Sequence, residues 1–295
     1  MATNYATQYA QTLSQAFPNV LHFGELYERR QEGDYRWLNA KTIEVPTLSV
    51  TGRVNATRGK ISEKVARHSN KWTPLTLRNS RKWDDLVHPR EINETNHTVT
   101  IANITRVYNQ EQKFPEMDKY LISTLYKDWS ALSHTADTTV LTEENVLSVF
   151  DEQMQAMTEA NVPEAGRILY INPVVDTLLK NAKALYHSMD VLRGDASVQR
   201  AISVIDKVKL KVVPSSLMKT AYDFTVGAVD AEGAKQINMF LCHPNAIITP
   251  VAYEFAQLDP PAAGTDGHWV YFEESDEDVF ILPNKDPAIR FVVQA

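Results

Sequence analysis

From Lys41 to Val50 the chain alternates, with Ile43, Val45 and Thr47 falling on one side and Thr42, Glu44 and Pro46 on the other. A period of two marks a half-buried strand, and Pro46, which has no N–H to give to a ladder, restricts that strand to an edge or irregular position. A second extended stretch, Trp72 to Leu77, returns after a long polar and charged connection. Together the two predict a long hairpin projecting from the body. Its tip holds Gly52 and Gly59, the only glycines between residues 34 and 165, which supply bends where the backbone needs freedom.

From Thr98 the period becomes helical: Ile101, Ile104, Val107 and Tyr108 share a face, and Met117, Tyr120, Leu121, Leu125 and Trp129 resume it after Phe114-Pro115. Proline removes a donor and crowds the preceding turn, so the expectation is a break, with a new helix starting at Pro115 and Glu116 at its positive end. A further helix is signalled by Thr142 as cap, Glu143 and Glu144 in the first turn, and Val146, Leu147, Phe150, Met154 and Met157 along one stripe. Asn161-Val162-Pro163 stops it, and its methionines read as core packing. A short strand, Arg167 to Ile171, then leads through Asn172 as cap and Pro173 as first residue into a helix carrying Val174, Val175, Leu178, Leu179 and Ala182.

Val208, Leu210 and Val212 alternate with Lys207, Lys209 and Lys211, the pattern of a strand with one buried and one wet face. Five more strands separated by proline-bearing turns are predicted: Ile237 to Cys242, Ile247 to Val251, Val270 to Phe272, Val279 to Leu282 and Ile289 to Val293. The class is α+β with a discontinuous body. No repeat of fixed period and no low-complexity linker divides it.

Charge sharpens this picture. Residues 53 to 82 hold nine Lys/Arg against one acid, Glu63, in a chain whose net charge is −7. Residues 1 to 90 carry 14 basic and 8 acidic groups, leaving 16 and 29 in the rest. A basic arm on an acidic body suits a subunit that clasps its neighbours; a solvated loop and a nucleic-acid footprint are the other readings. The candidate contact residues between subunits are Arg53, Arg58, Lys60, Lys64 and Arg67 of the arm, and Glu273, Glu274, Asp276, Glu277 and Asp278 of an acidic run. That run lies between apolar strands and reads either as a solvated hairpin turn or as the dock for the arm of another copy.

Catalytic signatures are missing. Ten scattered glycines exclude the glycine-rich phosphate loops, and neither HExxH nor GxSxG occurs. His88 and His97, with Glu91 and Glu94 between them, match no metal geometry and read as a polar turn into the helix at Thr98. Cys242, the single cysteine, sits in an apolar run and reads as a buried, inert thiol. No cofactor, metal or catalytic residue is expected. Neither a signal peptide nor an 18-residue apolar run is present, so the expectation is a soluble protein made in cytoplasm.

In this order along the chain, Trp37-Leu38-Asn39-Ala40-Lys41-Thr42-Ile43-Glu44-Val45, Phe114-Pro115-Glu116-Met117-Asp118-Lys119-Tyr120, Leu141-Thr142-Glu143-Glu144-Asn145-Val146, Gly166-Arg167-Ile168-Leu169-Tyr170-Ile171-Asn172-Pro173 and Asp278-Val279-Phe280-Ile281-Leu282-Pro283-Asn284-Lys285 resemble segments of one family. It is the major capsid proteins of tailed bacteriophages with the Hong Kong 97-like fold. The resemblance implies an N-terminal arm (1–36), an extended hairpin loop (37–97), a peripheral domain with a long spine helix (98–140 and 251–295) and an axial domain (141–250). It further implies pentamers and hexamers that close into an icosahedral head around double-stranded DNA, in a virion assembled in the host cytoplasm. The implied partners are other copies, a portal protein, packaged DNA held by non-specific contact and no membrane. The first body strand at residue 41 leaves no room for a built-in scaffold segment, which implies a separate scaffolding protein or none.

Two other readings stand beside this one. An encapsulin-like nanocompartment shell shares the fold and encloses enzymes instead of a genome. A DNA-binding protein would use residues 53–82 as its footprint, although Trp72 is the sole aromatic there, too few for a stacking platform.

Overall fold

The computed structural model describes residues 19–27, 35–53, 66–94, 101–182 and 202–294. A short helix α1 (Gly24–Tyr27) is followed by strands β1 (Arg36–Asn39), β2 (Thr42–Val50), β3 (His68–Thr76) and β4 (Asn79–Val87), and by helix α2 (Pro89–Glu94). β1, β2 and β3 form one antiparallel sheet in that order, so β2 is central by topology. Pro46 is nevertheless tolerated. The backbone bonds Leu77 N–H to Lys41 O and Thr51 N–H to Arg67 O place odd-numbered β2 residues in hydrogen-bonded pairs with β3. Pro46 therefore faces away from β3, and among the described residues β1 pairs only as far as Glu44, so the missing N–H breaks no described ladder bond.

Helix α3 (Ile101–Tyr108), a π-helical turn (Asn109–Lys113) and α4 (Phe114–Ala131) run without interruption, about 46 Å at 1.5 Å per residue. The expected break at Pro115 does not occur. The chain slips register one residue earlier, Phe114 N–H donating to Asn109 O, five residues back. Pro115 then has no N–H for Gln110 O, and the side-chain amide of Asn19 donates to that carbonyl at 3.0 Å. The start expected at Thr98 lies outside the described residues, while His88 opens a shorter helix at Pro89, its Nδ1 accepting from Arg90 N–H at 3.1 Å.

Helix α5 (Val146–Glu159) begins a turn later than Thr142, with Asn145 as its N-cap and no side-chain cap bond; Thr142 closes the preceding turn instead, Asn145 N–H donating to the Thr142 hydroxyl and Thr142 N–H to the Asn145 side chain. Its end is a Schellman turn, with Asn161 at φ 59° and Val162 N–H donating to Met157 O. Strand β5 (Ile168–Ile171) follows, then α6 (Pro173–Asn181), whose Asn172 cap accepts from Val175 N–H at 2.8 Å. The remaining strands are β6 (Val204–Ile205), β7 (Val208–Val212), β8 (Tyr222–Asp223), β9 (Val229–Asp230), β10 (Ile237–Cys242), β11 (Ile247–Ile248), β12 (Val251–Asp259), β13 (Trp269–Glu277), β14 (Phe280–Ile281) and β15 (Ile289–Val293).

The main sheet has the order β15-β10-β5-β7-β6, with β5 and β7 parallel and the other pairs antiparallel. Aromatic rings run through its core from Phe23 to Tyr170, Phe240, Phe291 and Trp129, with centroids 4.7, 5.6, 4.8 and 5.2 Å apart. The long helix contributes Leu121, Ile122, Leu125 and Trp129 to this core. Phe23 and Leu26, in the segment expected as an arm, are buried in it too. Asp118 fastens that segment to the helix, its two oxygens accepting from the backbone N–H groups of His22 and Phe23 at 2.9 and 3.1 Å. Burial pushes the Asp118 carboxyl up to about 6, against those two bonds and Lys211, which lower it.

A smaller core joins Ile43, Val45 and Leu77 at the root of the hairpin to Ile248, Phe280 and Leu282. A third sheet, β12-β13-β4, lies along the first half of the long helix, where Val87, Trp269 and Tyr271 pack with Ile104.

Candidate assembly surfaces

Two surfaces stand out: the β2–β3 ribbon and the β12-β13-β4 sheet. The ribbon's outer half is exposed on both faces among its described residues. Arg53 and Arg67 lie exposed near its outer end; Arg58, Lys60 and Lys64, with Gly59, lie outside the described residues. Lys71 continues the line of exposed cations on β3.

The acidic run is not a turn. Glu273 to Glu277 lie inside β13, hydrogen-bonded on one side to β12 and on the other to β4, so the predicted strand Val270 to Phe272 extends to Trp269–Glu277. A strand alternates, and the run is accordingly divided between two faces. On the inner face Glu273 is buried, ion-paired to Lys113 of the π-helical turn and accepting from Tyr271 Oη at 2.8 Å. Glu277 shares that face; burial holds its carboxyl above the usual range, Glu254, Glu116 and Glu273 add to the shift, and Lys113 opposes it. Glu274 and Asp276 take the outer face, opposite Lys82 and Ser80 of β4. The Lys41 ammonium lies 3.9 Å from Asp276.

Asp278, just past the strand, is fully engaged within the chain. It accepts from Arg78 N–H at 2.7 Å, Arg78 Nε at 3.1 Å, Tyr120 Oη at 2.8 Å and Val279 N–H at 2.7 Å. The same guanidinium makes a bidentate pair with Asp128 at 3.0 and 2.9 Å and lies over the Phe280 ring. These carboxylates raise the Arg78 pKa, Asp128 contributing most, against partial desolvation. Arg81 likewise turns inward, pairing with Glu116 at 2.6 Å and donating to Phe224 O at 2.7 Å. The basic stretch thus has two parts: up to Lys71 its described cations face solvent, while Arg78 and Arg81 fasten β4 to the body.

Sequence reasoning missed β4 and β12 as strands, the Arg78 centre and the Asp118 anchor. Arg78 and Asp278 are 200 residues apart, and no local pattern links them. Cys242 is buried, and burial raises its thiol pKa. None of the described helices is long and apolar enough to cross a membrane.

No protein-family model and no curated protein matches this sequence. Solved structures do match. A chain from Mycobacterium phage Che8 superposes with TM-score 0.65 at 12% identity, covering 99% of this chain and 98% of that one. The capsid of cyanophage P-SCSP1u gives 0.65 at 10% identity over 98% and 92%. The mature capsid of bacteriophage PhiM1 gives 0.64 at 12% identity over 86% and 82%. The chain therefore has the Hong Kong 97-like fold of phage capsid subunits, in an α+β architecture.

Proposed function

We propose that this protein is the major capsid subunit of a phage: a structural, non-catalytic protein whose copies form pentamers and hexamers and close into an icosahedral shell around double-stranded DNA. The observation that carries the reading is that likeness to phage capsid chains extends over nearly the whole length of both partners. The division into arm, hairpin loop, peripheral and axial domains belongs to the same reading, as do location in the virion, assembly in the host cytoplasm and a portal partner. In this account the basic ribbon of one copy lies on the acidic body of the next, and many individually weak contacts sum to a stable shell.

Size-exclusion chromatography with light scattering on the purified protein tests it. Particles of megadalton mass, or rings of five and six copies, support the reading. A species that stays monomeric or in an oligomer of fewer than five copies, with and without phage partners, overturns it. Copurifying cargo enzymes instead of DNA would point to a nanocompartment.

A further inference from the structure

Gln236, just before β10, and Asn238 within it point to one side of the strand, and each keeps half of its side-chain amide unbonded among the described residues. Gln236 Nε2 donates to Met218 O at 2.7 Å and to Ile237 O at 3.1 Å, which leaves its Oε1 as a bare acceptor. Asn172 Oδ1 accepts from Val175 N–H, so its Nδ2 donates to Asn238 Oδ1 at 2.9 Å and leaves Asn238 Nδ2 as a bare donor. Both residues line a cavity of about 460 Å³ walled by Val140, Leu141, Val174 and Leu178, and no charged side chain among the described residues borders it. Val140 is 70% exposed and Val174 62%, although Val174 holds the second position of α6, where a carboxylate would suit the positive helix end. Apolar walls around one bare donor and one bare acceptor make a site for an uncharged amide.

The same chain carries a ligand of that description. Between Asp223 of β8 and Asp230 of β9 no residue is charged, and Gly227, at φ 65°, makes the turn. Val226 is 83% exposed and Val229 62%. The flanking carbonyls are taken, Phe224 O by Arg81 and Ala228 O by Lys119, both at 2.7 Å, whereas the Val226 carbonyl and the Gly227 N–H have no partner among the described residues. Positions two apart on a strand are separated by about 7 Å, room for one peptide unit between the Gln236 and Asn238 side chains. Arg81 and Lys119 hold the tip beside β4 and the long helix, while the cavity adjoins Thr139, beyond the end of that helix, and Gln294, so the tip of one chain does not line its own pocket.

Resting on the capsid reading, we infer that the β8–β9 tip of one copy inserts into this pocket of a second copy, Val226 and Val229 packing against Val140, Val174 and Leu178. The Val226–Gly227 peptide then accepts from Asn238 Nδ2 and donates to Gln236 Oε1. Tip and pocket are different surfaces, which makes the contact heterologous, the kind that propagates head to tail and closes into rings. Neither side carries a charge, so burial of hydrocarbon and two amide bonds hold the contact and salt does not screen it.

The test compares Val226→Asp/Val229→Asp in the tip and Val174→Glu in the wall with the wild type, each checked for unchanged secondary structure and monomer stability. Val174→Glu suits the helix end it occupies, so its fold is expected to hold. Both variants are expected to abolish rings and particles at every ionic strength. Asn238→Asp keeps the acceptor that Asn172 uses and puts an oxygen where the bare donor was; its particle yield is expected to fall several-fold. Assemblies mixed from Val226→Cys subunits and Val174→Cys subunits give the second readout, because the native Cys242 is buried. A bismaleimide should join one subunit of each kind into covalent dimers. Normal particles from either the tip or the wall variant, or no such dimers in normal mixed particles, overturn the inference while leaving the capsid reading standing. A wild type that never assembles overturns both.

Discussion

The charges of the first ninety residues and of the acidic run fall into two sets that obey different physics. Arg78, Arg81, Glu273 and Asp278 have found partners in the same chain, the two carboxylates buried and the two guanidiniums part-exposed. Arg53, Arg67, Lys71 and Glu274 have kept their water or face outward. Sequence alone shows one basic stretch and one acidic run, as though each acted as a block. In the fold each is split, by strand alternation in the acidic run and by the transition from ribbon to body in the basic stretch. Buried pairs fix where β4 sits against the long helix, and the outward charges are free to meet another molecule.

The largest expected effect comes from breaking the inward set. Asp278→Ala removes the buried acceptor of bonds from Arg78, Tyr120 and Val279, while Arg78 keeps Asp128, and should cost about 3 kcal/mol of stability. Urea unfolding measures it, and a loss no larger than that of an exposed-site variant would dissolve the distinction between the two sets. Asp118→Ala comes next, with about 1–3 kcal/mol lost as the buried N–H of Phe23 and the part-buried N–H of His22 lose their acceptor. Hydrogen exchange at His22 and Phe23 should quicken in that variant.

Asp118 also predicts a pH dependence. Its folded pKa, about 6, lies above the ordinary 3.8, so the folded state holds the proton more tightly than the unfolded state. The group's contribution is therefore greatest in acid, falls as pH rises between the two values, and is constant above about 6. Asp118→Asn should remove that slope; identical pH profiles for the variant and the wild type would contradict it.

The smallest effects on the monomer are expected in the outward set. Arg67→Glu with Lys71→Glu, or Glu274→Lys, should change monomer stability by no more than about 0.5 kcal/mol. Assembly, followed by light scattering, should nevertheless fail or slow in both. Normal particles from them would leave the outward charges without a role.

Legibility followed the same division. Elements specified by local signals were readable: the alternation of Thr42 to Val45, the Asn172-Pro173 cap, and the compact apolar runs of β10 and β15. Features specified by distant partners were not. β12 is exposed on both faces and shows no clean alternation, so its sequence resembles a loop. A row of acids in β13 looks like a turn because its compensating cations come from the π-helical turn and the root of the hairpin. Pro115 was readable as a disturbance, but its remedy depends on Asn19, 91 residues away from the carbonyl it satisfies.

Cryo-electron microscopy of the purified, assembled protein tests the central claim most directly. The account predicts closed shells built of five- and six-membered rings, with the basic β2–β3 ribbon of each copy lying on the acidic body of its neighbour. Monomers or open, non-closing oligomers under all conditions would contradict it.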